Sequence, residues 1–190
     1  MFSIGYAVYL SVIAITLAIL EVQIEGEYGW AEKLPCWRPN PSSFIAKSYA
    51  KVMGDKELTG YHIAMFISVL IILHFPFFVG VSWNLTRELE VFSSYFLLAV
   101  CWDFLWFVWN PAYGLKKFKP EFIKWHKHWI KKKVPADYPI GLAVSLSIAL
   151  IVMVFGGPNI IVWWGVTLGF LAGLTLVSCL ISQLLKIGRA

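Results

Sequence analysis

Five apolar stretches, at about residues 3–22, 61–83, 91–110, 138–155 and 159–185, dominate this chain. Each approaches the roughly 20 residues that a helix needs to cross a bilayer core of ~30 Å. Hydrocarbon offers no partner to backbone N–H and C=O groups, so each stretch is expected to satisfy its own as an α-helix. Of the 190 residues, 59% are apolar and only 14% are charged, with a mean hydropathy of +0.71. An ordinary soluble domain carries about 25% charged residues. The expected fold class is all-α, a polytopic integral membrane protein built as a bundle of five transmembrane helices. It forms a single transmembrane domain over residues 1–190, with ordered cytoplasmic connections at 23–60 and 111–137.

Charge gives the bundle a direction. If the helices alternate, Arg87 is the only Lys or Arg on the side of the N-terminus. The others fall in the two long connections or, as Lys186 and Arg189, in the tail. The positive-inside rule then places the N-terminus outside and the C-terminus in the cytoplasm, in a multi-pass protein of a plasma or inner membrane. The formal charge of +5 shows no basic stripe suited to nucleic acid and fits attraction to anionic lipid. Trp30, Trp37, Trp109, Trp125 and Trp129 mark the inner boundary, and Trp83, Trp163 and Trp164 the outer one. Cys36, Cys101 and Cys179 are odd in number and widely spaced, which indicates neither a disulfide framework nor a thiolate zinc site. The first stretch lacks a basic leader and a small-residue cleavage site, and reads as a retained helix.

The connections carry local signals. Leu34-Pro35-Cys36-Trp37-Arg38-Pro39-Asn40-Pro41 is a Pro-rich turn, after which Ser42-Ser43-Phe44 opens a short helix to about Met53. Phe118 to Lys133 alternates lysines with Phe122, Ile123, Trp125, Trp129 and Ile130, which predicts a helix lying in the interface. The opposite side has a short turn from Asn84 to Glu90 and a tight turn at Gly156-Gly157-Pro158. The run Trp30, Leu34-Pro35, Trp37, Pro39, Pro41, Phe44, Tyr49 and Met53-Gly54 resembles the start of the translocator-protein family, which is also small, Trp-rich and five-helical. Lys47, Lys51, Asp55, Lys56 and Glu57 then interrupt what would be that family's second helix, and its later Trp/Asn-rich helices have no counterpart. The resemblance is therefore read as a shared interfacial style and not as membership. Desaturase histidine boxes, a Walker motif and G-x-S-x-G are absent.

The polar residues inside the apolar stretches demand an explanation. Asp103 lies in an aromatic run that ends at Asn110, on the same helix face. An ionised carboxylate there costs several kcal/mol unless it is paired, hydrated or protonated. Glu21 and Glu25 share a face at the end of the first helix. His62 begins the second, and His126 and His128 belong to Trp125-His126-Lys127-His128-Trp129. In a helix only one of those two histidines faces the bundle. His74, before Pro76, is expected near mid-membrane, as a relay or as a partner of a neighbouring helix. Gly165, Gly169 and Gly173 allow a close helix approach, within the bundle or to a second copy.

The expected function is an integral-membrane enzyme acting on a lipid or other hydrophobic small molecule at the cytoplasmic interface. Asp103, Glu25 and His126 are its expected catalytic residues. Asn110, Lys127, Trp125 and Trp129 are expected to bind substrate, and Glu21, His62 and His128 to hold a divalent metal: zinc, iron or manganese. A binding or transport protein with a polar path through Glu21, His74 and Asp103, and a structural subunit of a membrane complex, are the alternatives. Membrane lipids, and a homo-oligomer through Gly165, Gly169 and Gly173, are the expected partners.

Overall fold

The computed structural model describes residues 3–155 and 159–188. The Gly156-Gly157-Pro158 turn and Arg189 lie outside the described residues. Six helices form among the described residues: α1 (Ile4–Glu25), α2 (Phe44–Val52), α3 (Gly60–Phe78), α4 (Leu85–Trp109), α5 (Asp137–Val154) and α6 (Ile160–Leu184). All but α2 are long and apolar enough to cross a membrane. Side-chain oxygens of Ser3, Ser43, Thr59 and Asn84 accept backbone N–H bonds at the starts of α1 to α4. The Asn84 cap explains the largest boundary error. The third crossing was expected to begin at 91, past the charges of the outer turn, but α4 begins at Leu85 and takes Arg87, Glu88 and Glu90 into its first turns. Glu88 there is favoured by the helix dipole. In the other direction, α3 stops at Phe78, just after Pro76, and not at 83.

Helix α4 is central. Of its most apolar window, 61% is buried, against 17–39% for the other four spans. Its inner contacts run in register. Ser93 meets Ser145 of α5, while Cys101 meets Leu171 and Thr175 of α6. Further along, Ser182 of α6 donates to the Val108 carbonyl at 2.8 Å. Thus α6 runs parallel to α4, and α5 runs antiparallel to both. Asn110, just past α4, donates through Nδ2 to the Gly26 carbonyl at the end of α1 (2.6 Å), and α1 is parallel to α4 as well. Between apolar helices these small polar groups are the directional contacts. The Ser93 and Ser145 hydroxyls each donate to the other residue's carbonyl, at 2.9 and 2.7 Å, and Trp164 Nε1 adds a bond to Ser145 Oγ at 2.9 Å.

Gly165, Gly169 and Gly173 are exposed, with no atom within 4 Å of where a Cβ would stand. The stripe does not pack within this bundle. Gly114 does meet a close backbone approach: with φ +57° it lies against Ile187 and Gly188 after α6, where a Cβ would come within 2.8 Å of the Ile187 oxygen.

Both long connections are ordered, but one differs from expectation. In 23–60, Arg38 donates to the carbonyls of Ala31 (2.5 Å), Leu34 (3.0 Å) and Cys36 (3.2 Å), and pairs with Glu57 at 3.2 Å. The expected short helix forms as α2. Phe44, Ile45 and Val52 project from it, 84%, 64% and 82% exposed. The interfacial helix expected over Phe118–Lys133 does not form. The segment is a 3-10 turn at Leu115–Lys117, irregular chain, and a two-stranded antiparallel hairpin of β1 (Trp129–Ile130) and β2 (Val134–Pro135). Pro120 withholds a helical donor, and Lys131 and Lys132 take positive φ (49° and 56°) to close the hairpin. Ile123, at the start of the irregular stretch, is buried against Val22, Trp106 and Phe107.

Candidate functional site

The ends of α1 and α4 meet the starts of α3 and α5 at one end of the bundle, and two groups of ionisable side chains lie there. Asp103 is near enough to Glu21, Glu25 and His62 for their charges to interact.

The first group is a chain of contacts. Lys56 Nζ lies 2.7 Å from Asp137 Oδ2, and the same oxygen meets His126 Nδ1 at 2.8 Å. His126 Nε2 stands 3.3 Å from Asp103 Oδ2, an ion-pair contact off the line of a directed hydrogen bond. The Tyr138 hydroxyl donates to Asp103 Oδ2 at 2.6 Å. Two carboxylates thus face two cationic groups, so the array balances its own charge when His126 is protonated. Burial opposes charge on His126, but Asp103 and, after it, Asp137 outweigh that cost and raise its pKa above the ordinary 6.5. Only 1% of the His126 side chain is exposed, against 33% of Asp103 and 36% of Asp137. The carboxylates are reachable, with the imidazole behind them.

Trp125 and Trp129, expected to bind substrate, pack around the segment that carries His126. Trp129 Nε1 donates to the His126 carbonyl at 2.8 Å. Trp125 stacks on Phe107 (5.8 Å between ring centres, 9° between planes) and fills the space that Gly29 leaves. Beside Tyr138 an open apolar cleft of about 240 Å³ runs between α4, α5 and α6, lined among others by Leu97, Phe104, Phe118, Leu142 and Thr175.

The second group is Glu21, Glu25 and His62, all buried, each with a ligand atom within 4.8 Å of the others'. His62 Nε2 lies 3.8 Å from Glu25 Oε1. Its Nδ1 is 2.8 Å from Thr59 Oγ1, and the Trp30 ring stacks on it at 3.9 Å. Glu25 Oε1 accepts the Ala31 N–H at 2.5 Å, and Tyr61 donates to Glu21 Oε1 at 3.5 Å.

Five of the expected site residues therefore converge: Glu21, Glu25, His62, Asp103 and His126. Five stand elsewhere or serve otherwise. Asn110 is a tie between α1 and α4 and accepts the Ala112 N–H at 2.9 Å. Lys127 and His128 are exposed, and the H-x-H pair splits because the irregular chain turns only His126 inward. Trp125 and Trp129 are wedges. His74 lies in the last turns of α3, where Nε2 meets Glu88 at 3.0 Å and Nδ1 meets the Leu70 carbonyl at 2.7 Å. It is an interhelical partner at the far end of the bundle, with the apolar core of Leu97, Leu98 and Trp102 between it and Asp103. Lys56, Asp137 and Tyr138 escaped the sequence reading. Their faint signal was position, since Asp137-Tyr138 opens a helix on the charged side and Lys56 precedes another. Comparison with family models, with curated proteins and with solved structures finds no match.

Proposed function

We propose that this chain is an integral-membrane enzyme that performs acid–base chemistry on a lipid or other hydrophobic substrate at its charged end. The observation that carries this reading is the continuous array Lys56–Asp137–His126–Asp103–Tyr138, whose last member borders the apolar cleft. In this reading the bundle is oriented N-outside, with the lysine-bearing connections in the cytoplasm, in a plasma or inner membrane. The substrate's hydrocarbon part rests in the cleft and its polar group meets Tyr138 and Asp103. Asp103, accessible and hydrogen-bonded, exchanges a proton with the substrate. His126 resupplies or takes up that proton from behind, and Asp137 with Lys56 fixes the imidazole's orientation and charge. Trp125 and Trp129 are positioning residues.

The test is comparative mass spectrometry of membrane lipids and isoprenoids from cells producing the wild type or Asp103→Asn. A species that changes with the wild type and returns to baseline in the variant is the expected result. Identical profiles from wild-type and empty membranes would refute the enzyme reading.

A further inference from the structure

The two ionisable groups differ in one respect that elementary electrostatics makes important. The array around His126 contains its own cations. Glu21 and Glu25 do not: among the described residues, the only basic side chain paired with either is His62. Lys56 is committed to Asp137, and Arg38 to Glu57 and three carbonyls. Two buried carboxylates at one site, with a single imidazole beside them, leave negative charge that low-dielectric surroundings do not tolerate when both are ionised. Either a proton or a bound cation must neutralise it.

Three features favour a bound cation. First, His62 is 3% exposed and its Nε2 receives no hydrogen bond among the described residues; its nearest recorded polar neighbour is Glu25 Oε1 at 3.8 Å, too far for one. That separation approaches the roughly 3.4 Å between ligand atoms around a tetrahedral ion with bonds of about 2.0–2.1 Å. Second, each ligand is already oriented by a further group, as metal-binding side chains are: Thr59 on His62, Tyr61 on Glu21, the Ala31 N–H on Glu25. Third, the donor set of two carboxylates and one imidazole suits a divalent transition ion, whereas magnesium and calcium favour oxygen alone.

We infer that Glu21, Glu25 and His62 form a binding site for one divalent transition-metal ion of the zinc, iron and manganese class, with three protein ligands and room for an exchangeable one. Three protein ligands with an open position is the arrangement of a catalytic and not a structural site. The exposed His128 takes no part. The site stands without the enzyme reading, since its ligands are distinct from the His126 array. It also supplies that reading with a Lewis acid beside Asp103.

The experiment uses the full chain purified in detergent, stripped with a chelator, then equilibrated with zinc or manganese in excess magnesium. After desalting, metal content is measured by mass spectrometry and binding by quenching of tryptophan fluorescence. The wild type is expected to retain about one ion per chain. Glu21→Gln, Glu25→Gln and His62→Gln, checked for folding by circular dichroism, are expected to weaken binding more than 100-fold. Thr59→Val, which keeps all three ligands, should weaken it by about 10–100-fold. His128→Ala should bind as the wild type does. No retained ion in the wild type, or wild-type affinity in both Glu21→Gln and His62→Gln, would overturn the site. So would an infrared band of a protonated carboxyl, absent from Glu21→Gln, that persists at saturating metal. None of these readouts depends on a substrate, so a negative lipid assay and a failed metal site are distinguishable.

Discussion

At the residue scale, His126 decides whether one end of the bundle holds together. It separates two carboxylates that would otherwise share a pocket with Lys56 as their sole cation. Removing one member of such a set costs about 3–5 kcal/mol when all are buried. Asp103 and Asp137 are each about one-third exposed, which puts the expected loss for His126→Ala near the lower figure. A double-mutant cycle with Asp103→Asn should return a coupling of about 1–3 kcal/mol. The sign of the pH dependence follows from the raised pKa. A group that holds its proton more tightly when folded stabilises the fold fully below its unfolded value, near 6.5. That stabilisation is lost as pH rises through the higher folded value. The groups facing His126 are Asp103 of α4, Asp137 and Tyr138 of α5, and Lys56 from the preceding connection. Unfolding midpoints in detergent should therefore decline on the alkaline side of 6.5, with a shallower decline in His126→Ala. A flat wild-type profile, or the same slope in both, would contradict the assignment.

At the scale of elements, legibility followed the medium. The five spans could be read because hydrocarbon imposes a length and an apolar composition that no tertiary contact alters. Ser43 and Phe44 foretold α2 because a cap is a local device. The segment after Pro111 was misread because Phe122, Ile123, Trp125 and Trp129 suit a helix face as well as they suit wedges. Long-range burial of Ile123 and His126, invisible in local spacing, made the choice. The same limit hid the partners of Asp103: Tyr138 is 35 residues away, and Lys56 is 81 from Asp137. The other connection depends on one side chain whose role the sequence did not disclose. Arg38 faces three carbonyls and one carboxylate. Its Glu57 partner is half-exposed, and such a pair contributes about 0–1 kcal/mol. Each hydrogen bond from a charged donor to a sheltered carbonyl contributes about 1.5–3 kcal/mol. Arg38→Ala should accordingly open the connection to proteolysis between residues 27 and 60, whereas Glu57→Gln should leave cleavage nearly unchanged. Equal cleavage of the two variants would transfer the role to the ion pair.

At the scale of the molecule, one end carries almost all the basic side chains and every member of both ionisable groups, and the other carries Arg87 and the His74–Glu88 pair. A charged side chain cannot be translocated cheaply, so in the proposed orientation this asymmetry is what selects the insertion direction. It also puts Glu21, Glu25, His62 and the His126 array on the face that anionic lipid headgroups draw toward the bilayer. The glycine stripe of α6 is unused within the bundle and open to lipid or to another copy, and neither changes this polarity. Orientation is testable with two single-cysteine chains in sealed, right-side-out vesicles, the native cysteines replaced by serine. Ser82→Cys, on the exposed turn before α4, should react with a membrane-impermeant maleimide in intact vesicles. Lys127→Cys, on the exposed edge beside His126, should react only after permeabilisation. The reverse pattern would put the ionisable groups outside, where protons and metal come from the external medium. Labelling of both positions in intact vesicles would mean mixed insertion, and the charge asymmetry would then have no directing role in this chain.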